Sequence, residues 1–60
     1  MEWIDVSEYK PEMNTVVEAQ LYGGQFVGRW TQDVNYKDGH FYEGEEINLD
    51  KEVYAWRYKM

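Results

Sequence analysis

The residues best suited to chemistry in this chain are its single histidine, its single serine and its many carboxylates. A Ser-His-Asp triad would require His40 and Ser7 to meet beside an aspartate. Their spacing does not predict such a meeting, because His40 directly follows the Asp38-Gly39 turn signal and is expected at the solvent-exposed surface. The sequence therefore predicts no enzyme and no catalytic residue.

Paired carboxylates offer a second kind of chemistry. Glu45 with Glu46, or Asp50 with Glu52, would have to face each other across a sugar-sized cleft to work as a glycosidase, and a domain of 60 residues seldom has one. The acidic residues do not follow the calcium-loop pattern D-x-[DN]-x-[DN]-G-x₅-E. Because the chain also lacks cysteine, we predict no metal site and no cofactor.

The carboxylates cluster towards the end of the chain. Twelve carboxylates against six cations give a net charge of −6, which repels nucleic acid and anionic membranes and favours a basic protein partner. The alternative is a solvated acidic loop that only keeps the domain soluble. The predicted partner-binding residues are Glu43, Glu45, Glu46, Asp50 and Glu52, together with Tyr42 and Tyr54.

The tyrosines suggest a different binding function. Tyr22, Tyr36, Tyr42 and Tyr54 have no clear inward position in the strands predicted below, and SH3-like modules bind proline-rich peptides on exposed tyrosine and tryptophan. A peptide-binding or structural SH3-like module without an inhibitory role is therefore the alternative function.

These side chains must be positioned by strands, because the sequence has no stretch of ten residues with the periodicity of a helix. Gly23-Gly24 separates two β-rich runs and predicts a tight hairpin between Thr15 and Trp30. The predicted register buries one face of this hairpin and leaves the Glu18–Arg29 pair on the other. The pairs on the buried face are Leu21 with Phe26, Ala19 with Gly28, and Val17 with Trp30.

Further strands follow this hairpin. Asp38-Gly39 predicts a second turn that pairs Tyr36 with Phe41 and Asn35 with Tyr42, although residues 31–39 could also form one long loop. The acidic residues 43–52 should be tethered by Ile47 and Leu49. In the last strand, residues 52–59, the alternation places Val53 and Ala55 on one side and Tyr54, Trp56 and Tyr58 on the other.

The whole pattern predicts an all-β domain. Five short strands should form an antiparallel meander that curls into an SH3-like half-barrel and hides its edges. The first strand covers residues 2–7, and one helical turn near Ser7 to Tyr9 is expected, with Ser7 as its cap. The alternative to the half-barrel is an open sheet crossed by this one-turn helix.

The order of several motifs resembles a known family. Trp3-Ile4-x-Val6-Ser7-Glu8-x-x-Pro11-Glu12, then Val16-Val17, Gly28, Trp30 and Val53-x-x-Trp56 are similar to the small phage and prophage family catalogued as domain of unknown function five-five-one. The family ends near V-T-H-W-M-P-L-P, whereas this chain has no histidine or proline there. The resemblance spans nearly the whole chain and implies a phage or prophage origin and a compact β domain, but no chemistry.

Location and assembly follow from the same sequence. The amino terminus lacks the basic and apolar regions of a signal peptide, and no apolar run reaches membrane-spanning length. We expect a protein of the host cytoplasm that inhibits a host or antiviral-defence protein. A homodimer is also expected, because so small a core is marginal by itself.

Overall fold

The computed structural model describes residues 2–22 and 29–59, and in them it contains one antiparallel sheet and no helix. The strand order is β1-β6-β2-β3-β4-β5. The all-β prediction is confirmed, with six strands instead of five because residues 47–48 pair with β4. The strands are β1 (Ile4–Asp5), β2 (Thr15–Tyr22), β3 (Arg29–Lys37), β4 (His40–Glu43), β5 (Ile47–Asn48) and β6 (Val53–Tyr58).

The register between β2 and β3 differs from the predicted one by four residues. Val17 lies opposite Val34, not Trp30, and Glu18 lies opposite Asp33, not Arg29. The predicted Gly23-Gly24 turn and its neighbours Phe26 and Gly28 fall outside the described residues. Because four is an even number, the side chains of β2 keep their predicted sides: Val17, Ala19 and Leu21 are fully buried. The face of the sheet that carries these three residues is called the inner face, and the opposite face the outer face.

The second hairpin is confirmed. Asn35 pairs with Tyr42 and Tyr36 with Phe41, so β3 continues to Lys37 and the alternative of one long loop over 31–39 is wrong. Asp38 and Gly39 have φ values of 55° and 80°. Two successive residues with positive φ are what a two-residue hairpin turn requires, because that backbone matches the twist of the strands.

A β-bulge changes the predicted alternation in β6. Ala55 pairs with Gln20 but Val53 pairs with Leu21, so Tyr54 is the extra residue between the two pairs. Val53 and Trp56, predicted on opposite sides, therefore both face inward, opposite Leu21 and Ala19 respectively. Trp56 is only 2% exposed and becomes the largest fully buried side chain.

Leu49 shows that the sheet is curled. Its amide donates to the Phe41 carbonyl on β4 (2.8 Å), and its carbonyl accepts from the Val53 amide at the start of β6 (3.0 Å). In a flat sheet β4 and β6 would be roughly 14 Å apart, because β2 and β3 lie between them. One residue can bond to both strands only if the sheet curls round, yet β1 and β5 remain its unjoined edges. Leu49 is the predicted tether, whereas Ile47, predicted with it, is exposed.

The chain between β1 and β2 covers part of the inner face. Trp56 Nε1 donates to the Tyr9 carbonyl (2.8 Å), and the Glu12 amide donates to Tyr58 Oη (3.1 Å). The expected helical turn is instead a hydrogen-bonded turn, in which the amides of Glu8 and Tyr9 both donate to the Asp5 carbonyl. Asp5, not Ser7, is its cap, because Asp5 Oδ1 accepts from the Ser7 amide at 2.8 Å.

The resulting core lies on the inner face. Ile4 and Val6 pack against its rim. Tyr36, which had no clear inward position in the sequence, is part of it. The core cluster consists of Val17, Ala19, Leu21, Val34, Tyr36, Phe41, Leu49, Val53 and Trp56.

Candidate functional site

The turn between β4 and β5 carries the densest group of carboxylates. We call residues 43–46 the acidic turn. Glu43 ends β4, Gly44 has a φ of 66° that allows the chain to reverse, and Glu45 and Glu46 are exposed. Asn35 Nδ2 donates to the Gly44 carbonyl (3.2 Å) and ties the turn to β3. The turn is thus attached to the sheet by its backbone, and Glu45 and Glu46 are exposed to solvent.

The two exposed glutamates have no charge partner in the part of the chain that the structure describes. Neither Glu45 nor Glu46 takes part in a salt bridge among the described side chains, residues 2–22 and 30–59. Two cations near the end of the chain are used elsewhere, since Arg57 pairs with Glu18 and Lys59 with Asp33. The carboxylates of Glu45 and Glu46 are therefore exposed without an ion pair among the described side chains, and Lys37 lines the same depression as Glu45.

Asp50, also in the predicted partner-binding set, holds the structure together. Its Oδ1 accepts from the Phe41 amide (2.7 Å) and its Oδ2 lies 2.5 Å from His40 Nδ1. Its own amide donates to Asn48 Oδ1 (2.8 Å). Asp50 thus connects the start of β4 to the turn that carries Leu49. The cluster of carboxylates in residues 43–52 did not predict this structural role.

The two predicted tyrosines lie apart. Tyr42 is half-buried on β4, opposite Asn48, and its ring centroid lies 5.2 Å from Lys37 Nζ. Tyr54 is on β6, with β2 and β3 between it and β4. Its hydroxyl donates to Gln20 Oε1 (2.7 Å), and its ring lies 4.5 Å from that of Tyr22. Tyr42 therefore neighbours the acidic turn, and Tyr54 belongs to a different surface.

Two shallow depressions lie beside Tyr54 and beside the acidic turn. One of about 250 Å³ is lined by Gln20, Trp30, Thr31 and Tyr54. The other, of about 260 Å³, borders the acidic turn. Both are small for a ligand site. The second depression is lined by Asn14, Asn35, Tyr36, Lys37, Gly44 and Glu45.

Ser7 and His40 are engaged with different aspartates. Ser7 Oγ donates to Asp5 Oδ1 (2.7 Å), whereas His40 contacts Asp50. Two hydrogen bonds from Ser7, from its amide and then its hydroxyl, lower the pKa of the Asp5 carboxyl. Among the described residues, no three metal-ligating side chains come together.

The outer face carries a group of side chains that sequence reasoning missed. The Arg57 guanidinium lies over the Trp3 ring, 4.1 Å from its centroid, and its Nη2 is 3.5 Å from Glu18 Oε2. Next to them Lys59 Nζ is 2.6 Å from Asp33 Oδ2, and this hydrogen bond raises the pKa of the Lys59 ammonium. Glu18 and Asp33 lie directly opposite each other, so each carboxylate needs its own cation. This arrangement depends on the observed register of β2 and β3, which the sequence did not predict.

Comparison with family models, with curated proteins and with solved structures finds no match to this chain. Its function is therefore argued from the geometry of these surfaces.

Proposed function

We propose that the protein is a non-enzymatic binding protein whose acidic turn docks on the basic surface of another protein. The observation that carries this proposal is the exposure of Glu45 and Glu46 without a salt bridge among the described residues. Exposed charges of one sign speed association with an oppositely charged surface. The net charge of −6 acts in the same direction.

The resemblance to the phage and prophage family extends this proposal. The protein would be a phage accessory protein that occludes a host or antiviral-defence protein in the host cytoplasm, one copy to each target. Many such targets bind nucleic acid and are basic, so an acidic surface would compete for the same site. Inhibition would then require equimolar protein and no turnover.

The test compares two pairs of charge reversals. An affinity-tagged protein is used to capture a partner from bacterial host lysate, and surface plasmon resonance then measures binding to that partner at two salt concentrations. Glu45→Lys with Glu46→Lys should weaken binding more than about tenfold, mainly through a slower association rate. Higher salt should also slow association, because the screening length falls from about 10 Å at 0.1 M to about 3 Å at 1 M.

The matched control reverses two other exposed carboxylates. Glu2 and Glu12 are exposed and lie outside the acidic turn, so Glu2→Lys with Glu12→Lys changes the net charge by the same amount. Equal losses from both pairs would show that overall charge governs the encounter, and no loss from either would overturn the proposal.

A second candidate is a peptide-binding module. The depression lined by Gln20, Trp30, Thr31 and Tyr54 favours it. Tyr54 lies beside the side chain of Gln20 there, and an aromatic ring beside hydrogen-bonding side chains is typical of grooves for proline-rich peptides. Titration with a proline-rich decapeptide, followed by the amide resonances of Gln20 and Thr31, tests this function. Unchanged resonances at millimolar peptide would rule it out.

A further inference from the structure

The inner face of the sheet continues beyond the core. On β3, Val34 is 1% exposed, but Trp30, four residues earlier on the same face, is 45% exposed. On the neighbouring strands Glu43 and Ile47 lie opposite each other on this face, and Ile47 is 54% exposed. We call Trp30, Gln32, Glu43 and Ile47 the open end of the inner face.

Hydrogen bonds fix the exposed indole. Trp30 Nε1 donates to Gln32 Oε1 (3.1 Å), and Gln32 Nε2 donates to Glu43 Oε1 in a short contact. One side-chain amide thus connects the ring on β3 to the carboxylate on β4. Because the ring is already oriented, a ligand that stacks on it causes little further loss of side-chain freedom.

The outer face shows that a tryptophan and a glutamate can together hold a guanidinium group. There the Arg57 guanidinium stacks on Trp3 and pairs with Glu18. The open end has a tryptophan and a glutamate, and among the described side chains, residues 2–22 and 30–59, neither takes part in a cation–π pair or a salt bridge. A guanidinium suits this pair better than an ammonium, because it is planar, stacks on aromatic faces and forms directed hydrogen bonds to a carboxylate.

We propose that the open end binds an arginine side chain of the basic partner, with the guanidinium stacked on Trp30 and hydrogen-bonded to Glu43. This inference rests on the proposed function for the identity of the partner, but not for the chemistry of the subsite. Glu43 links the two, since it both belongs to the open end and begins the acidic turn. The long-range charge of Glu45 and Glu46 steers the partner, and Trp30 with Glu43 recognises one residue of it.

The experiment uses a defined probe. Acetyl-Gly-Arg-Gly-amide is titrated into ¹⁵N-labelled protein, and the indole N–H resonances of Trp3, Trp30 and Trp56 are followed by NMR. We expect a saturable shift of the Trp30 indole in the millimolar range, with Trp3 and Trp56 as internal references. The same peptide with citrulline keeps the shape but not the charge, and should bind about tenfold more weakly because the charge-assisted hydrogen bond is lost.

Two variants test the two groups separately. Glu43→Gln keeps the hydrogen bond to Gln32 possible but removes the charge, and should remove the preference for arginine over citrulline. Trp30→Leu should abolish saturable binding, read from the Gln32 side-chain amide resonances, whereas Tyr9→Leu, at an exposed ring outside the open end, should not change it. An unshifted Trp30 indole, equal shifts of all three indoles, or equal affinities for the arginine and citrulline peptides would overturn the inference.

The outcome can be separated from that of the proposed function. If Glu45→Lys with Glu46→Lys leaves partner binding unchanged while Trp30 still prefers the arginine peptide, the proposed function fails and the arginine subsite stands. If the charge reversals weaken partner binding but the peptide does not shift Trp30, the acidic turn acts without this subsite.

Discussion

Two tryptophans on the inner face of one sheet have opposite surroundings. Trp56 on β6 is covered by the chain between β1 and β2 and donates its indole proton to the Tyr9 carbonyl. Trp30 on β3 has no such cover among the described residues and donates to Gln32, at the open end. Side chains that lie on the inner face of the sheet are therefore not all buried. Burial depends on which segments cross that face, and here residues 6–14 and the turn at Leu49 cross only one part of it.

The largest expected effect tests this contrast directly. Trp56→Ala should cost about 3–5 kcal/mol, because it removes a large buried side chain and leaves a cavity. A domain of this size has a total stability of roughly 3–9 kcal/mol, so this variant should lose a large part of that stability. Trp30→Ala should cost only about 1–2 kcal/mol, because nearly half of that side chain is already in water. Thermal melts followed by far-UV circular dichroism measure both, and equal losses would contradict the contrast between the two residues.

A second variant tests the residue that bridges the curled sheet. Leu49→Ala should cost about 2–5 kcal/mol, because Leu49 fills the core between β4 and β6. Ile47→Ala, two residues earlier and exposed, is the matched control and should change stability by less than about 1 kcal/mol. Urea unfolding of both variants measures the difference. A larger loss for Ile47→Ala would mean that β5, not the Leu49 turn, holds this side of the sheet.

A smaller effect is expected from the carboxylate that fastens the same turn. Asp50→Ala leaves the half-buried Phe41 amide without its acceptor and should cost about 1–3 kcal/mol. Glu46→Ala, at an exposed carboxylate, should stay within about 0.5 kcal/mol of the wild type. Chemical unfolding at neutral pH compares the two. Equal effects would show that Asp50 contributes only charge, like its exposed neighbours.

The smallest effect concerns the turn that starts the covering segment. Hydrogen bonds from Ser7 lower the pKa of Asp5, so the folded state favours the carboxylate more than the unfolded state does. Its contribution to stability is fully present above the unfolded pKa of about 4 and is lost as the pH falls through the lower folded pKa. Melts of wild type and Asp5→Ala should therefore differ at pH 6, and the difference should shrink as the pH is lowered towards 2.

Ser7→Ala is the control for this pH dependence. It removes the hydroxyl bond to Asp5 but keeps the amide bond, which has the larger effect on the pKa, so it should retain most of the difference. A gap between wild type and Asp5→Ala that stays constant from pH 6 to pH 2 would contradict the role of the ionised carboxylate.

The sequence by itself determined the features that depend on neighbouring residues. The alternation in β2 predicted that Val17, Ala19 and Leu21 face inward, because the side-chain period of a strand is local. The Asp38-Gly39 pair predicted the second hairpin and its register, because only residues that tolerate positive φ fit such a turn. The exposed, turn-rich nature of residues 43–46 was also readable, since Glu and Gly rarely continue a strand.

Outside the second hairpin, the tertiary structure alone decided how the strands meet. A register shift of four residues keeps every side chain on its face, so the alternation in β2 and β3 could not distinguish Val34 from Trp30 as the partner of Val17. The bulge at Tyr54 turned Trp56 inward, and it became visible only once β6 was paired with β2. The arrangement of Trp30, Gln32 and Glu43 depends on residues eleven apart on neighbouring strands. Contacts of this kind follow from strand pairing and curl, which the sequence does not specify residue by residue.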